Sequence, residues 1–162
     1  MLEIAESAKV SQFADIEDSV RGTRIVIGDE VIIDSFVKIK PTGGIGDLII
    51  GKGSVINSGC VLYTGNGVFI GEGVAVAANC TFAPTNHAFE TSHIPIHQQG
   101  FKNSRGGIVV GDDVWIGANC VILDGAIISQ GCVVGAGSVI LEKLDPYGVY
   151  VGNPLRKIGE RK

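Results

Sequence analysis

Few residues in this chain have the type and spacing to do chemistry. All three histidines, His87, His93 and His97, fall within eleven residues of one stretch, TNHAFETSHIPIHQQGFKNSRGG. A neutral imidazole takes a proton near pH 7, so this stretch is the first place to look for a general base. The four cysteines, Cys60, Cys80, Cys120 and Cys132, are isolated, with no C-x-x-C pair. That spacing points to neither a zinc site nor a disulfide framework. No cysteine or serine is placed to act with His87 as a nucleophile–base pair, so a covalent enzyme intermediate is not expected.

Composition excludes several classes. The 162 residues carry a formal charge of −4; 45% are hydrophobic, 19% are charged and 24 are glycine. Residues 1–162 suffice for one domain with a real core. Such apolar content excludes a disordered chain, and glycine without a Gly-X-Y period excludes collagen. No apolar run approaches the ~18 residues of a membrane-spanning helix. The opening MLEIAESAKV lacks the basic and apolar segments of a secretion leader, so the expected location is the cytoplasm. Mild negative charge argues against a nucleic-acid partner.

The histidine stretch is the largest break in a repeat. Aliphatic residues recur every six positions in triplets: Ile4/Val10/Ile16, Ile27/Ile33/Ile39, Ile50/Ile56/Leu62, Ile70/Val76/Phe82, Val110/Ile116/Ile122 and Ile128/Val134/Ile140. Steps between triplets are 11, 11, 8, 28 and 6, and 11 more reach Val151. Extra residues therefore enter at one corner of a three-sided solenoid, after its third strand. A helix is excluded by the period and by the β-branched, glycine-rich segments. Six coils stacked at ~4.8 Å would make a prism about 29 Å tall.

The fourth residue after a lattice position is usually small, as at Ser54, Cys60, Val74, Cys80, Val114, Cys120, Ala126, Cys132 and Ser138. It should also point inward, which makes the cysteines core filler. Glycine follows the lattice residue at 28, 51, 71, 111, 117 and 135, where a corner needs positive φ or close backbone approach. The 28-residue step leaves residues 83–109 as an extruded loop, and 145–162 as a C-terminal cap.

These residues resemble the hexapeptide-repeat acyltransferases. The segment IVVGDDVWIGANCVILDGAIISQGCVVGAGSVI (108–140) followed by VGNPLRKI (151–158) is similar to the sugar O-acetyltransferase and polysaccharide-biosynthesis branch, which includes lipopolysaccharide enzymes. The resemblance implies an all-β, left-handed parallel β-helix, a homotrimer with active sites between subunits, and acetyl-CoA as co-substrate with no metal required. It implies that His87 is the general base, abstracting the acceptor proton as the acceptor attacks the thioester. It places the backbone of Ala118 and Ala136 along the pantetheine arm, with Gly117, Gly135 and Gly137 permitting close approach. Trp115 then lies on the exterior near the cofactor groove, and Arg156 and Lys157 are candidates for the 3′-phosphate of CoA. Asn57 aligns with an asparagine near the acceptor in galactoside and maltose acetyltransferases, or is simply a polar corner residue.

Three loop expectations rest on position alone. Asn86 occupies the inward fourth position, one coil above Asn66, where it either satisfies buried backbone or orients His87 or its substrate. Glu90 could accept the imidazole N–H and fix its tautomer. His93 and His97 are expected as plain loop residues.

The leading expectation is O-acetylation of a sugar or cell-surface glycan precursor. N-acetylation of a nucleotide-linked amino sugar is the alternative. Such enzymes often carry an additional N-terminal domain, whereas Ile4 here already belongs to the first coil. A metal site as in the γ-carbonic anhydrases, which share this prism, would need histidines on successive coils and neighbouring subunits. Here all three sit in one loop.

Overall fold

The computed structural model describes residues 1–162. The chain folds as a left-handed, three-sided parallel β-helix, and a single 3-10 turn at Ile96–Gln98 is its only helical segment. Each side is a sheet of parallel strands two or three residues long, apart from Gly148–Val151 and the antiparallel Arg156–Glu160 at the top of the second. The period of six becomes three vertical columns in strict register. Ile4, Ile27, Ile50, Ile70, Val110 and Ile128 stack on the first sheet. Val10, Ile33, Ile56, Val76, Ile116 and Val134 stack on the second. Ile16, Ile39, Leu62, Phe82, Ile122 and Ile140 stack on the third. From the second coil upward these residues form one buried core.

The small fourth positions also point inward. Every one from Ser54 to Ser138 is almost fully buried. Each cysteine thiol donates to a carbonyl further up the prism: Cys60 to Ala77 at 3.1 Å, Cys80 to Gly117 at 3.1 Å, Cys120 to Gly135 at 3.3 Å and Cys132 to Asp145 at 3.0 Å. Cysteine fits because it is small, apolar and a weak donor beside a backbone carbonyl. Burial pushes the Cys132 thiol up, and the Cys80 thiol together with burial pushes Cys120 up. The same Cys80 thiol holds Cys60 below the ordinary value, yet Cys60 has no exposed surface.

Two details of the repeat differ from expectation. The lattice continues as Leu144 and Tyr150, which pair with Ile128 and Val134. Val151 is not a lattice residue: it lies outside, where its side chain would stand 2.6 Å from a Cβ at Gly135. The final turn is shortened to four residues between Ile140 and Leu144, which shifts the register. Second, the glycines after lattice residues serve close approach, not positive φ. A Cβ on Gly117 would meet the Ala136 nitrogen at 2.5 Å, and one on Gly51 the Gly71 backbone at 2.6 Å. Positive φ falls two residues later in the coil, often on other residue types such as Glu30, Asn79, Asp113 and Asn119.

The two ends differ. In the bottom coil Ile4 and Val10 are exposed. At the top, Arg156–Glu160 pairs antiparallel with Gly148–Val151 and extends the second sheet. No helix is long and apolar enough to cross a membrane.

Candidate functional site

The chain leaves the prism at Pro84 and returns at Ile108, so the extruded segment is 84–107, narrower than 83–109 because Ala83 and Ile108–Val110 remain in strands. Pro84 is still buried, and the Thr85 hydroxyl donates to the Gly43 carbonyl at 3.2 Å. The two legs then pair with each other. The Lys102 N–H reaches the Asn86 carbonyl at 2.8 Å, and the Ala88 N–H reaches the Gly100 carbonyl at 3.0 Å. His87 and Phe101 form an antiparallel bridge between them. Further out, the Gln99 side chain ties Thr91 and Ile94 together, accepting from the Thr91 N–H and donating to both carbonyls. The loop is therefore a braced two-legged arm.

His87 sits where that arm meets the prism. Its ring makes no hydrogen bond within the chain and packs on Phe101 at 4.9 Å between centroids. It opens on a cavity of about 250 Å³ lined by Thr42, Gly43, Tyr63, Ala83, Pro84, Thr85, His87 and Phe101. The lining has hydroxyl and aromatic groups and one imidazole, but no charged carboxylate, ammonium or guanidinium.

The inward placement of Asn86 and the pairing of Glu90 with His87 fail on geometry. Asn86 is exposed rather than inward, because the chain has already left the coil and its carbonyl serves the paired leg. Glu90 does not turn to His87. Its carboxylate takes Lys102 Nζ at 2.8 Å and the Phe89 N–H at 2.9 Å, and Lys102 in turn sits 3.7 Å from the Phe89 ring centroid. The Lys102 ammonium holds Glu90 below the usual carboxylate range. His93 and His97 are exposed on the arm, and no group of three or more His, Cys, Asp or Glu side chains converges on a metal-binding geometry.

Asn57 lies on the corner between the second and third sheets, where its amide donates to the Val76 carbonyl at 2.7 Å. Gly117 and Ala118 stand on that same corner higher up, followed by Gly135, Ala136 and Gly137. The Gly137 N–H bonds the Ala118 carbonyl at 2.8 Å. The N–H groups of Ala118 and Ala136 have no partner in the chain, and Ala136 and Gly137 are exposed. Trp115 precedes this corner on the outer face of the second sheet, 53% exposed between Ala75 and Val133. Lys157 is held by Asp145 at 3.2 Å and Glu160 at 2.7 Å, which raise its pKa. Arg156 is exposed and unpaired.

Within one chain these groups form two separate sets. His87 is at the corner between the third and first sheets; the alanine corner is at the opposite edge of the third.

Sequence reasoning passed over Tyr63 and Phe101, which flank the cavity, and Asp124. The Asp124 carboxylate is 2% exposed and accepts the backbone N–H of Arg105 at 2.8 Å and of Gly107 at 2.9 Å. The same corner position carries Asp18, Pro41, Thr64, Pro84 and Glu142 in the other coils, so residue type alone gave no signal there.

Residues 107–142 match the family profile described as bacterial transferase hexapeptide (six repeats). Over 66 residues the chain is 39% identical to a probable macrolide acetyltransferase of Lysinibacillus sphaericus, covering 41% of this chain and 35% of that one. Over 88 residues it is 35% identical to the galactoside O-acetyltransferase of Escherichia coli K12, covering 52% and 40%. The matched segments thus span about two-fifths or less of these relatives. Among solved structures, a mutant of AntD, an N-acyltransferase from Bacillus cereus in complex with dTDP and coenzyme A, superposes with a TM-score of 0.83 at 28% identity, covering 99% of this chain and 84% of that one. A hexapeptide-repeat acetyltransferase from Vibrio cholerae O1 complexed with acetyl-CoA gives 0.71 at 26%, covering 84% and 70%.

Proposed function

We propose that this hexapeptide-repeat chain is an acetyl-CoA-dependent acetyltransferase acting on a sugar or glycan-precursor hydroxyl, with His87 as general base. The observation that carries this reading is the placement of His87. The prism's one long arm delivers a free imidazole to the rim of a cavity of about 250 Å³ that carries hydroxyls and two aromatic rings. In the proposed step the acceptor oxygen attacks the thioester carbonyl while His87 removes its proton. The tetrahedral intermediate collapses, the C–S bond breaks, and the imidazolium returns the proton to the departing thiolate.

The alanine corner fits the pantetheine arm. The unpartnered N–H groups of Ala118 and Ala136 can bond its amide carbonyls, and Gly137 leaves open space beside them. Gly117, Gly135 and the Trp115 face border the same strip, and Arg156 is the free cation for the 3′-phosphate; Asn57 extends the corner towards the acceptor. Because one chain holds base and strip on opposite edges of a face, the reading includes a homotrimer in which one subunit's corner meets another's arm. It also places the reaction in the cytoplasm, with polysaccharide or lipopolysaccharide assembly as its setting.

A second reading is N-acylation of a nucleotide-linked amino sugar. The likeness to AntD over 99% of this chain favours it, and the same base would serve. The test is acceptor-dependent release of CoA thiol from acetyl-CoA, run against neutral glycosides and against dTDP-linked amino sugars, with products weighed by mass spectrometry. An O-acetyl glycoside supports the first reading and an N-acetyl product the second. No acceptor-dependent release with either class defeats both.

A further inference from the structure

We infer that Asp124 is a positioning residue for His87, acting through the return leg of the arm. The inference rests on the reading of His87 as base. The backbone hydrogen bonds nearest His87, from Ala88 to Gly100 and from Lys102 to Asn86, join it to residues 100–102 and not to the prism. Its own bridge partner is Phe101. The outgoing leg is held to the prism through Thr85 and Gly43, so the imidazole is set by that tie together with the return leg, and the question becomes what fixes the return leg.

Asp124 fixes it. Its two carboxylate oxygens divide the work: Oδ2 accepts from Arg105 and Oδ1 from Gly107, three and five residues beyond the paired segment. Asp124 itself follows the strand Val121–Leu123, which is in register with Thr81–Ala83 of the coil from which the arm departs. The carboxylate thus refers the returning chain back to the rigid stack that launched it. At the same place in the two coils below stand Thr64 and Pro84, both uncharged. Asp18 in the bottom coil and Glu142 in the coil above occupy the same place but are exposed, whereas Asp124, on the coil to which the arm returns, is buried. It is buried with no ion-pair partner, an arrangement that is costly unless its oxygens are satisfied by oriented donors. Arg105 does not neutralise it; its guanidinium donates to the Leu141 carbonyl at 3.1 Å. Gly125, next in sequence, packs against the Arg105 side chain and lets the leg lie close.

A displacement of about 1 Å in a reacting group can lower a rate on the order of a hundredfold. Asp124→Asn keeps the shape but replaces one acceptor by an NH₂ facing an N–H. We expect kcat to fall at least tenfold with the KM for acetyl-CoA within twofold. The deciding measurement is a double-mutant cycle with His87→Ala. If Asp124 acts through His87, Asp124→Asn costs little further in the residual rate of His87→Ala. An equal fractional loss in both backgrounds, or no loss in the native one, overturns the inference. Asp124→Thr, which copies Thr64, provides the same cycle should Asp124→Asn fail to fold. If the native protein transfers no acetyl group, the functional reading fails separately. Amide exchange then tests the anchor directly: faster exchange at Ala88 and Lys102 in the variant supports it, and unchanged protection overturns it.

Discussion

Replacing His87 by alanine separates catalysis from folding more sharply than any other substitution here. The ring is exposed, makes no hydrogen bond within the chain, and has Phe101 as its aromatic neighbour. A buried aromatic pair is worth about 0.5–1.5 kcal/mol, and exposure keeps this one at the low end. For a chain of this size about 0.5 kcal/mol moves the melting point by roughly 1–2 °C. The catalytic loss should be far larger. A positioned general base contributes on the order of 10²–10⁴-fold, or about 2.7–5.4 kcal/mol in the barrier. The assay is release of CoA thiol at saturating acetyl-CoA over a range of acceptor, with CoA affinity and thermal melting measured on the same preparation. The expected outcome is a fall of 10²–10⁴ in kcat/KM for the acceptor, CoA affinity within about twofold, and little change in melting. Turnover within threefold of the native protein would refute the assignment. So would a loss of turnover matched by a loss of CoA binding, since that would place His87 in the donor site.

Thiol-blocking reagents applied to the folded protein should leave activity largely intact, because all four cysteines are buried and three have raised pKa values, Cys80 pushed up to about 11; rapid stoichiometric inactivation would contradict this. Arg156→Ala should raise the KM for acetyl-CoA severalfold but not that for 3′-dephospho-acetyl-CoA, whereas Lys157→Ala, with its ammonium already held by Asp145 and Glu160, should leave both KM values unchanged. Stability should hold from pH 7 to 5 and fall below about pH 4. Asp15 beside Lys40, Asp18 beside the N-terminal ammonium, Asp34 beside the Ser58 hydroxyl and Glu90 beside Lys102 are all held below the usual carboxylate range. Their stabilisation is complete above the unfolded values and lost as pH falls through the folded ones. Thermal melts across that range check it, and a higher melting point at pH 3 than at pH 6 would overturn it.

What the sequence made legible is what the fold repeats. Ile27, Ile50 and Ile70 are spaced by their coils, and each occupies a site whose neighbours above and below demand the same side chain. The cysteines were readable for the same reason. Legibility ends where the chain stops repeating. Asn86 was assigned inward by extending the lattice one step too far: its neighbour Pro84 still obeys the coil, but by Asn86 the carbonyl belongs to Lys102. Glu90 was paired with His87 by nearness in sequence, and in a two-legged arm the nearer partner is across the pair, at Lys102. Asp124 stands at neither a lattice nor a fourth position, and its role depends on where a distant segment returns.

The same contrast bears on the proposed reaction. A thioester carbonyl must come within about 3–3.5 Å of the attacking oxygen, and that oxygen must lie within hydrogen-bond reach of His87. The Ala118–Ala136 strip and His87 border opposite edges of the third sheet. A rigid stack of coils cannot fold that face in half, since its core residues are locked in register from Leu62 through Phe82 to Ile122. On the proposed mechanism the gap closes only when a second copy brings its corner against this arm. On that proposal the periodic part of the sequence supplies the binding strip and the platform, the aperiodic part supplies the base on its braced arm, and assembly joins the two into a single site.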